Sequence, residues 1–298
     1  MHIAVTGSHG LVGTAMISAM TKVEHQVTRL VRGQTGVGSV VWDPTAESFD
    51  SSVLQGVDAV VHLAGENIAS SRWTSQVKER IRRSRIQGTR LLAEGLAAMP
   101  NPPRVFISAS AIGYYGDCGD ELLDENSPSG DGFLADTALQ WEAATQPASD
   151  AGIRVVRMRI GVILSPRGGA LAKMLLPFKL GAGGRVGNGR QWWSWIALDD
   201  VVGAILHLLS NDAISGPVNV VSPNPVSNSV FTKILGRVLK RPTIFPMPAV
   251  VARIVLGEMA NELLLASTRV QPERLLETGY QFQQPELSAA LRYLLKNS

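Results

Sequence analysis

Cysteine occurs once in 298 residues, at Cys118, so an internal disulfide is excluded. Charge is scarce: 18% of residues are charged, the net charge is +3, and arginines concentrate only between residues 80 and 90, a poor basis for nucleic-acid binding. No uninterrupted apolar run is long enough for a membrane span. The most apolar late stretch, Ile244 to Ala266, is broken by Pro246, Pro248, Arg253, Glu258 and Glu262, which predicts packed helices and no membrane partner. The N-terminus enters a strand with no basic region and no apolar signal core, so a cytoplasmic protein is expected. Internal repeats and low-complexity tracts are missing too, and no metal site is expected. What is abundant is hydrophobic residue, 45% of the chain, enough for one large core or a core with a smaller neighbour.

The most informative stretch is the first one. Ile3-Ala4-Val5-Thr6 runs into glycines at 7, 10 and 13, and Ala15 to Met20 follows with helical apolar spacing. This is a strand, a tight turn and a helix start. Such a turn leaves backbone N–H groups at the helix N-terminus, where they and the macrodipole suit a pyrophosphate, and glycines let the ligand approach the main chain. A dinucleotide is the expected guest. Gln26 to Val31 then predicts a second strand, whose end meets the adenosine ribose in a dinucleotide fold. The chain has Arg32 there, Arg29 just before it, and no carboxylate until Asp43. A basic residue at that end favours a 2′-phosphate, hence NADP(H), although a solvated surface arginine has the same sequence. Asp43, closing a short third strand at Val40 to Trp42, suits the adenine amino group or a turn before Pro44.

Val57 to Leu63 predicts a fourth strand, ending in His62-Leu63-Ala64-Gly65, with small residues where a ligand needs room. His62 is either a base or a structural histidine. The helix from about Thr74 to Met99 has Thr74 as N-cap and puts Arg85 on or beside its inward face, where a cofactor group or a structural carboxylate would have to offset desolvation. Arg104 to Ser108 predicts a fifth strand, followed by Ala109-Ser110-Ala111 and Tyr114-Tyr115-Gly116.

These motifs together resemble the extended branch of the short-chain dehydrogenase/reductase superfamily, and more narrowly its atypical epimerase-like proteins that end in a domain of unknown function. Leu63-Ala64-Gly65-Glu66-Asn67-Ile68, Arg72-Trp73, Trp141-Glu142 and Gly187-Asn188-Gly189 extend the similarity over nearly the whole chain. The resemblance implies that Gly7, Gly10, Leu11, Val12 and Gly13 hold the pyrophosphate, that Arg32 meets the 2′-phosphate, and that His62, Leu63, Ala64 and Gly65 line the cofactor. Asp43 and Arg85 join that set, Arg85 standing three before Gly88-Thr89 where extended members place an asparagine. Ser110 matches the active-site serine, with one residue more than usual between it and Tyr115-Gly116.

Measured against the same superfamily, the chain lacks a base. Active members carry tyrosine and lysine four apart, the lysine lowering the phenol's pKa from about 10. Here the residues four after Tyr114, Tyr115, Tyr280 and Tyr293 are Cys118, Gly119, Gln284 and Asn297, and Phe133 and Thr137 fall at the expected helix positions. Tyr114, Tyr115 and Asp136 are the nearest substitutes.

Val155 to Leu164 predicts a sixth strand and Val218 to Val221 a further one. Between them lie a helix, a glycine-rich loop with Arg185 and Arg190, and a cluster formed by Trp192, Trp193 and Trp195. Trp193 stands where nucleotide-sugar enzymes of the superfamily carry a diphosphate-binding arginine, which argues against such a substrate.

The expected fold is α/β: a Rossmann-type, doubly wound, mainly parallel seven-strand sheet with a smaller, mostly helical C-terminal substrate region. Residues 1–164 are expected to form the NADP-binding domain, with 196–217 returning to it, and residues 165–195 and 218–298 the smaller region. The expected function is an NADP(H)-binding, epimerase-like oxidoreductase acting by hydride transfer on a small carbonyl or alcohol, with homo-oligomerisation open. The alternative is a non-catalytic NADP(H) sensor or scaffold. A third reading gives Leu256 to Ala266 a partner-binding role.

Overall fold

From Ile3 to Thr6 every residue is fully buried, and that run of small and β-branched side chains forms the middle of the central sheet. A computed structural model of Met1–Ser298 describes all residues except 34–35, 47–48 and 297–298. In chain order β1 (His2–Thr6), α1 (Leu11–Lys22), β2 (Gln26–Val31), β3 (Ser39–Val41), β4 (Ala59–His62), α2 (Ser75–Ala97) and β5 (Val105–Ala111) come first. They are followed by β6 (Leu122–Leu123), α3 (Phe133–Ala143), α4 (Gln146–Asp150), β7 (Arg154–Ile160), β8 (Val162–Leu164) and α5 (Gly169–Lys179). Then come β9 (Trp192–Trp193), β10 (Trp195–Ala197), α6 (Leu198–Ser210), β11 (Gly216–Val220) and β12 (Val226–Ser227). The end is mostly helical: α7 (Asn228–Leu239), α8 (Ala249–Leu256), α9 (Glu258–Ala260), β13 (Arg269–Val270), α10 (Glu273–Glu277) and α11 (Leu287–Lys296).

The seven-stranded sheet has the order β3-β2-β1-β4-β5-β7-β11. β1 pairs in parallel with β2 on one side and β4 on the other, so Thr6 lies level with both Leu30 and His62. Strand order reverses between β1 and β4, the position where doubly wound folds bind ligands. The sheet rests on a core that includes Trp42, Leu92, Leu96 and Phe106. Thr74 caps α2 as the sequence predicts, its Oγ1 accepting from Val77 N at 3.2 Å. Gly88 on that helix leaves room for Trp42 and Pro44: a Cβ there would meet Pro44 Cβ at 3.1 Å.

Two sequence expectations change. The single strand expected from Val155 to Leu164 is two, because β8 leaves the large sheet and pairs in parallel with β10. Gly161 makes the break: its N–H donates to Val220 O, and a Cβ at this point would lie 2.6 Å from Ser194 O. The chain also divides into compact units at other residues than expected, with Met1–Ala111, Thr137–Arg159 and Ala204–Val218 in one, and Ile112–Asp136, Ile160–Gly203 and Asn219–Ser298 in the other. Residues 112–136, expected in the first, belong to the second because Tyr115 and Leu123 pack with Val221 and Val270 and β6 pairs with β13.

The second unit has its own core, built around Leu171, Phe178, Trp195, Phe231, Leu235 and Leu291. The expectation of packed helices from Ile244 to Ala266 fails in its first half. Of the twelve residues 244–255, seven large apolar ones are exposed, among them Phe245 and Ile254 at 60% and 67%. The prolines at 242, 246 and 248 keep residues 240–247 out of helix, and only one side of the eight-residue α8 is covered.

Candidate functional site

The turn between β1 and α1 is built as the glycine spacing requires. Gly7 has φ +66°, a conformation that favours glycine, and a Cβ on it would lie 2.7 Å from both C and O of Leu63. The predicted pyrophosphate turn and the predicted Leu63-Ala64-Gly65 segment are therefore in direct contact. Gly13 is tighter still, since its Cβ would sit 2.3 Å from Gly7 O. Gly10 N donates to Gly7 O at 2.9 Å and Gly10 is the N-cap of α1. No side chain caps this helix and its first turn contains no acidic residue, so Leu11, Val12 and Gly13 present backbone N–H groups and the positive end of the helix dipole with no carboxylate in that turn.

Beneath the turn lies a buried hydrogen-bond chain that fixes the ends of β1 and β4. Thr6 Oγ1 accepts from Leu63 N at 3.1 Å and Ala64 N at 3.2 Å, which leaves its own proton for His62 Nδ1 at 2.7 Å. His62 Nε2 must then carry the imidazole proton and donate it to Thr89 Oγ1, 3.0 Å away, which also accepts from Trp141 Nε1 at 2.8 Å. Burial pushes the His62 pKa down to about 3. The ring is neutral, fully buried and engaged at both nitrogens. It orients the strand ends and offers no nitrogen to a ligand, so of the two readings for His62 the geometry matches the structural one.

Arg85 is anchored by backbone carbonyls. Its Nη1 donates to Glu66 O at 3.0 Å and Ile81 O at 3.2 Å, and its guanidinium lies 5.1 Å from the centroid of Trp141. Burial lowers its pKa to about 10, against the opposing charge of Glu66. It buttresses the loop at Gly65, whose Cβ would come within 3.5 Å of the guanidinium carbon.

At and just after the end of β2, Arg29 and Arg32 are exposed. With His9 of the glycine turn and Ser39 of β3 they line an open depression of about 730 Å³. Asp43 faces its own turn: Oδ1 accepts from Thr45 N at 2.8 Å and from Thr45 Oγ1 at 2.7 Å. Those bonds, and to a lesser extent the Arg32 charge, hold its carboxyl below the usual range. Asp43 thus caps its own turn through Oδ1.

Ser110 lies on β5, which runs three residues further than predicted. Its hydroxyl donates to Glu142 Oε1 at 2.8 Å, and Arg159 holds the same carboxylate through Nε to Oε1 at 2.8 Å and Nη2 to Oε2 at 2.9 Å. All three side chains are buried. Tyr115 is fully buried, its hydroxyl 2.8 Å from Asp124 O and 2.7 Å from Asn219 Oδ1. Tyr114 stacks edge-on against it at 5.3 Å and is only half-buried. Phe133 and Thr137, at the positions of the superfamily's tyrosine and lysine, are buried in α3. That helix starts on Glu262, whose two oxygens accept from Phe133 N at 2.9 Å and Leu134 N at 2.7 Å. Sequence reasoning missed the roles of Glu142, Arg159 and Glu262. Only Glu142 left a trace, in the Trp141-Glu142 pair.

A parallel sheet with its strand order reversed at β1, a three-glycine turn entering α1, and a serine-bearing β5 define a Rossmann protein of the short-chain dehydrogenase/reductase type. The chain belongs to the NAD dependent epimerase/dehydratase family, whose model matches residues 3–221, and residues 247–294 match a Domain of unknown function (DUF1731). Epimerase family protein Mb2239 of Mycobacterium bovis is 42% identical over 98% of this chain and 96% of its own length. Epimerase family protein SDR39U1 of Homo sapiens is 37% identical over 99% of this chain and all of its own. The crystal structure of the human protein (isoform2) with NADPH superposes with a TM-score of 0.92 at 35% identity, covering both chains completely.

Proposed function

We propose that this chain binds NADP(H) at the β1–α1 turn and acts as an epimerase-like oxidoreductase on a small carbonyl or alcohol. The observation that supports it best is the union of the glycine turn, locked against Leu63-Ala64, with the arginine-lined depression at the end of β2. The turn fits a pyrophosphate, because Leu11, Val12 and Gly13 have N–H groups to donate and no side chain caps them. Arg32 and Arg29 fit a 2′-phosphate, and the described residues lining that depression include no carboxylate to hold a free 2′-hydroxyl. The human relative crystallised with NADPH supports the same cofactor. When bound, the nicotinamide supplies hydride transfer. The chain's own part is binding and orientation; Ser110 would act as polar donor toward a substrate oxygen once its proton leaves Glu142 Oε1, and Tyr114 or Tyr115 would be the phenol for proton exchange.

A second reading, an NADP(H)-dependent sensor or scaffold, is favoured by one observation: Ser110 and Tyr115 are buried and already bonded to protein partners. Slow exchange of tightly bound NADPH, with no oxidation by any added carbonyl, would select it.

The cofactor assignment is tested by titrating NADPH and NADH into the protein and its Arg32→Ala variant. A charge-assisted contact to the 2′-phosphate contributes about 1.5–3 kcal/mol, so wild type should prefer NADPH by roughly ten- to a hundred-fold. Arg32→Ala should erase most of that preference and leave NADH affinity nearly unchanged. Equal affinities in wild type overturn the assignment, and a preference that survives in the variant moves the role to Arg29.

A further inference from the structure

The exposed apolar segment in the second unit is larger than one helix. Val250, Val251, Ile254 and Val255 share the outer face of α8, while Ala252 faces inward. Ile244, Phe245 and Met247 precede them, also exposed. This segment runs beside the end of α5 and the loop after it: Arg241 Nε donates to Lys179 O at 2.8 Å, Met247 N to Arg185 O at 2.8 Å, and Gly187 N to Met247 O at 2.9 Å. The pairing brings up two more exposed side chains, Leu176 and Leu180, the latter 74% exposed. Of residues 244–255 only Arg253 has a polar side chain.

The side-chain charge on the segments that build this face has one sign. Residues 160–198 and 219–257, which supply all of these elements, contain ten arginines and lysines and no aspartate or glutamate. Lys179 on α5, Arg185 after it, Lys240 and Arg241 after α7, and Arg253 on α8 are exposed. The next carboxylate along the chain is Glu258.

We propose that this face is a docking surface for an anionic lipid bilayer, with Phe245 and the outer side of α8 entering the interface and the basic residues meeting the headgroups. Three considerations select that occupant. A second copy joined about a two-fold axis would set the same cations against each other. A protein partner would call for placed hydrogen-bonding groups at a density of about one per 100–200 Å², and the apolar segment offers Arg253 alone. A bilayer needs neither, and takes an apolar face rimmed by lysine and arginine. The contact is peripheral, since no described helix is long and apolar enough to cross a membrane. It stands independently of the cofactor reading.

The test is flotation of the whole chain with vesicles of phosphatidylglycerol and phosphatidylcholine at one to three, against pure phosphatidylcholine vesicles. Binding should require the anionic lipid and fall steeply with added salt. Phe245→Asp/Ile254→Asp should abolish it, and Lys179→Glu/Lys240→Glu should weaken it roughly tenfold or more. All four side chains are exposed, so circular dichroism and melting should match wild type. Equal flotation with neutral and anionic vesicles, no flotation with either, or unchanged flotation in both folded double variants overturns the proposal. If vesicles are ignored while the wild type dimerises in ultracentrifugation and Phe245→Asp/Ile254→Asp does not, the face belongs to a second copy.

Discussion

Glu142 is the buried carboxylate on which Ser110 and Arg159 both depend. Removing it takes from the buried Arg159 guanidinium the carboxylate that both Nε and Nη2 engage, whereas removing the serine hydroxyl leaves the carboxylate held by both arginine N–H groups. Glu142→Ala should therefore destabilise by about 3–5 kcal/mol. Ser110→Ala should cost less, about 1.5–3 kcal/mol for a hydrogen bond to a charged group. Urea unfolding of the two variants gives the order, and a reversal would mean that Ser110 is the centre of the cluster. His62 supplies a pH dependence of known sign. Its pKa is near 6.5 when unfolded and about 3 when folded, so the folded state disfavours the protonated ring. Its contribution is complete above about pH 6.5 and is lost as pH falls toward 3, amounting to at most about 5 kcal/mol. His62→Gln should remove this component, so the stability difference between wild type and variant should shrink steadily from pH 7 to pH 4. A constant difference would refute it. Ser110 was legible through its likeness to a family position. Its partners were not, because Glu142 is 32 residues away and Arg159 a further 17, and nothing local to either signals that β5, α3 and β7 bring them together.

At the scale of elements, strand, turn and helix around β1 form one device, and its glycines are unequal. A methyl group on Gly13 would collide with the backbone of Gly7, while one on Gly10 would meet Gly7 O at a tight but tolerable 3.2 Å. Gly13→Ala should separate α1 from β1, costing about 1–3 kcal/mol of stability and most of the NADPH affinity. Gly10→Ala should keep the fold, and a β-branched side chain there, Gly10→Val, should prevent NADPH binding in a folded protein. Isothermal titration alongside thermal melts distinguishes the cases; undiminished affinity in Gly13→Ala would detach the turn from the cofactor. This part was readable because the pattern is local, with β-branched residues, glycines at three-residue intervals and helical apolar spacing all within twenty positions. The same logic placed β2, β4 and α2 with its Thr74 cap. It failed at Gly161, where a continuous apolar run hid a change of sheet set by tertiary contacts with Ser194 and Val221. It failed again in residues 244–255, where composition predicted burial but could not reveal that the described residues leave seven of these side chains exposed.

For the molecule as a whole, the division into units follows packing more closely than sequence order. The family match ends at residue 221, which invites cutting there to isolate a nucleotide-binding domain. All of the first unit lies before that point, but so do residues 112–136 and 160–203 of the second. Those segments contribute Leu164, Leu171, Phe178 and Trp195 to a core whose other half is Phe231, Leu235, Leu287 and Leu291. A chain of residues 1–221 would expose the first set to water, and fully burying such side chains contributes about 1.5–3 kcal/mol each. It would also lose Glu262 from the start of α3. The truncated chain should be insoluble or aggregate on concentration, whereas the full chain should melt in a cooperative transition that NADPH raises. Size-exclusion chromatography with light scattering, followed by calorimetry with and without NADPH, decides the point. If residues 1–221 run as a soluble monomer with a sharp, NADPH-responsive transition, the second core is dispensable and the nucleotide-binding part folds alone. If they aggregate while the full chain does not, residues 222–298 complete a core begun at Leu164.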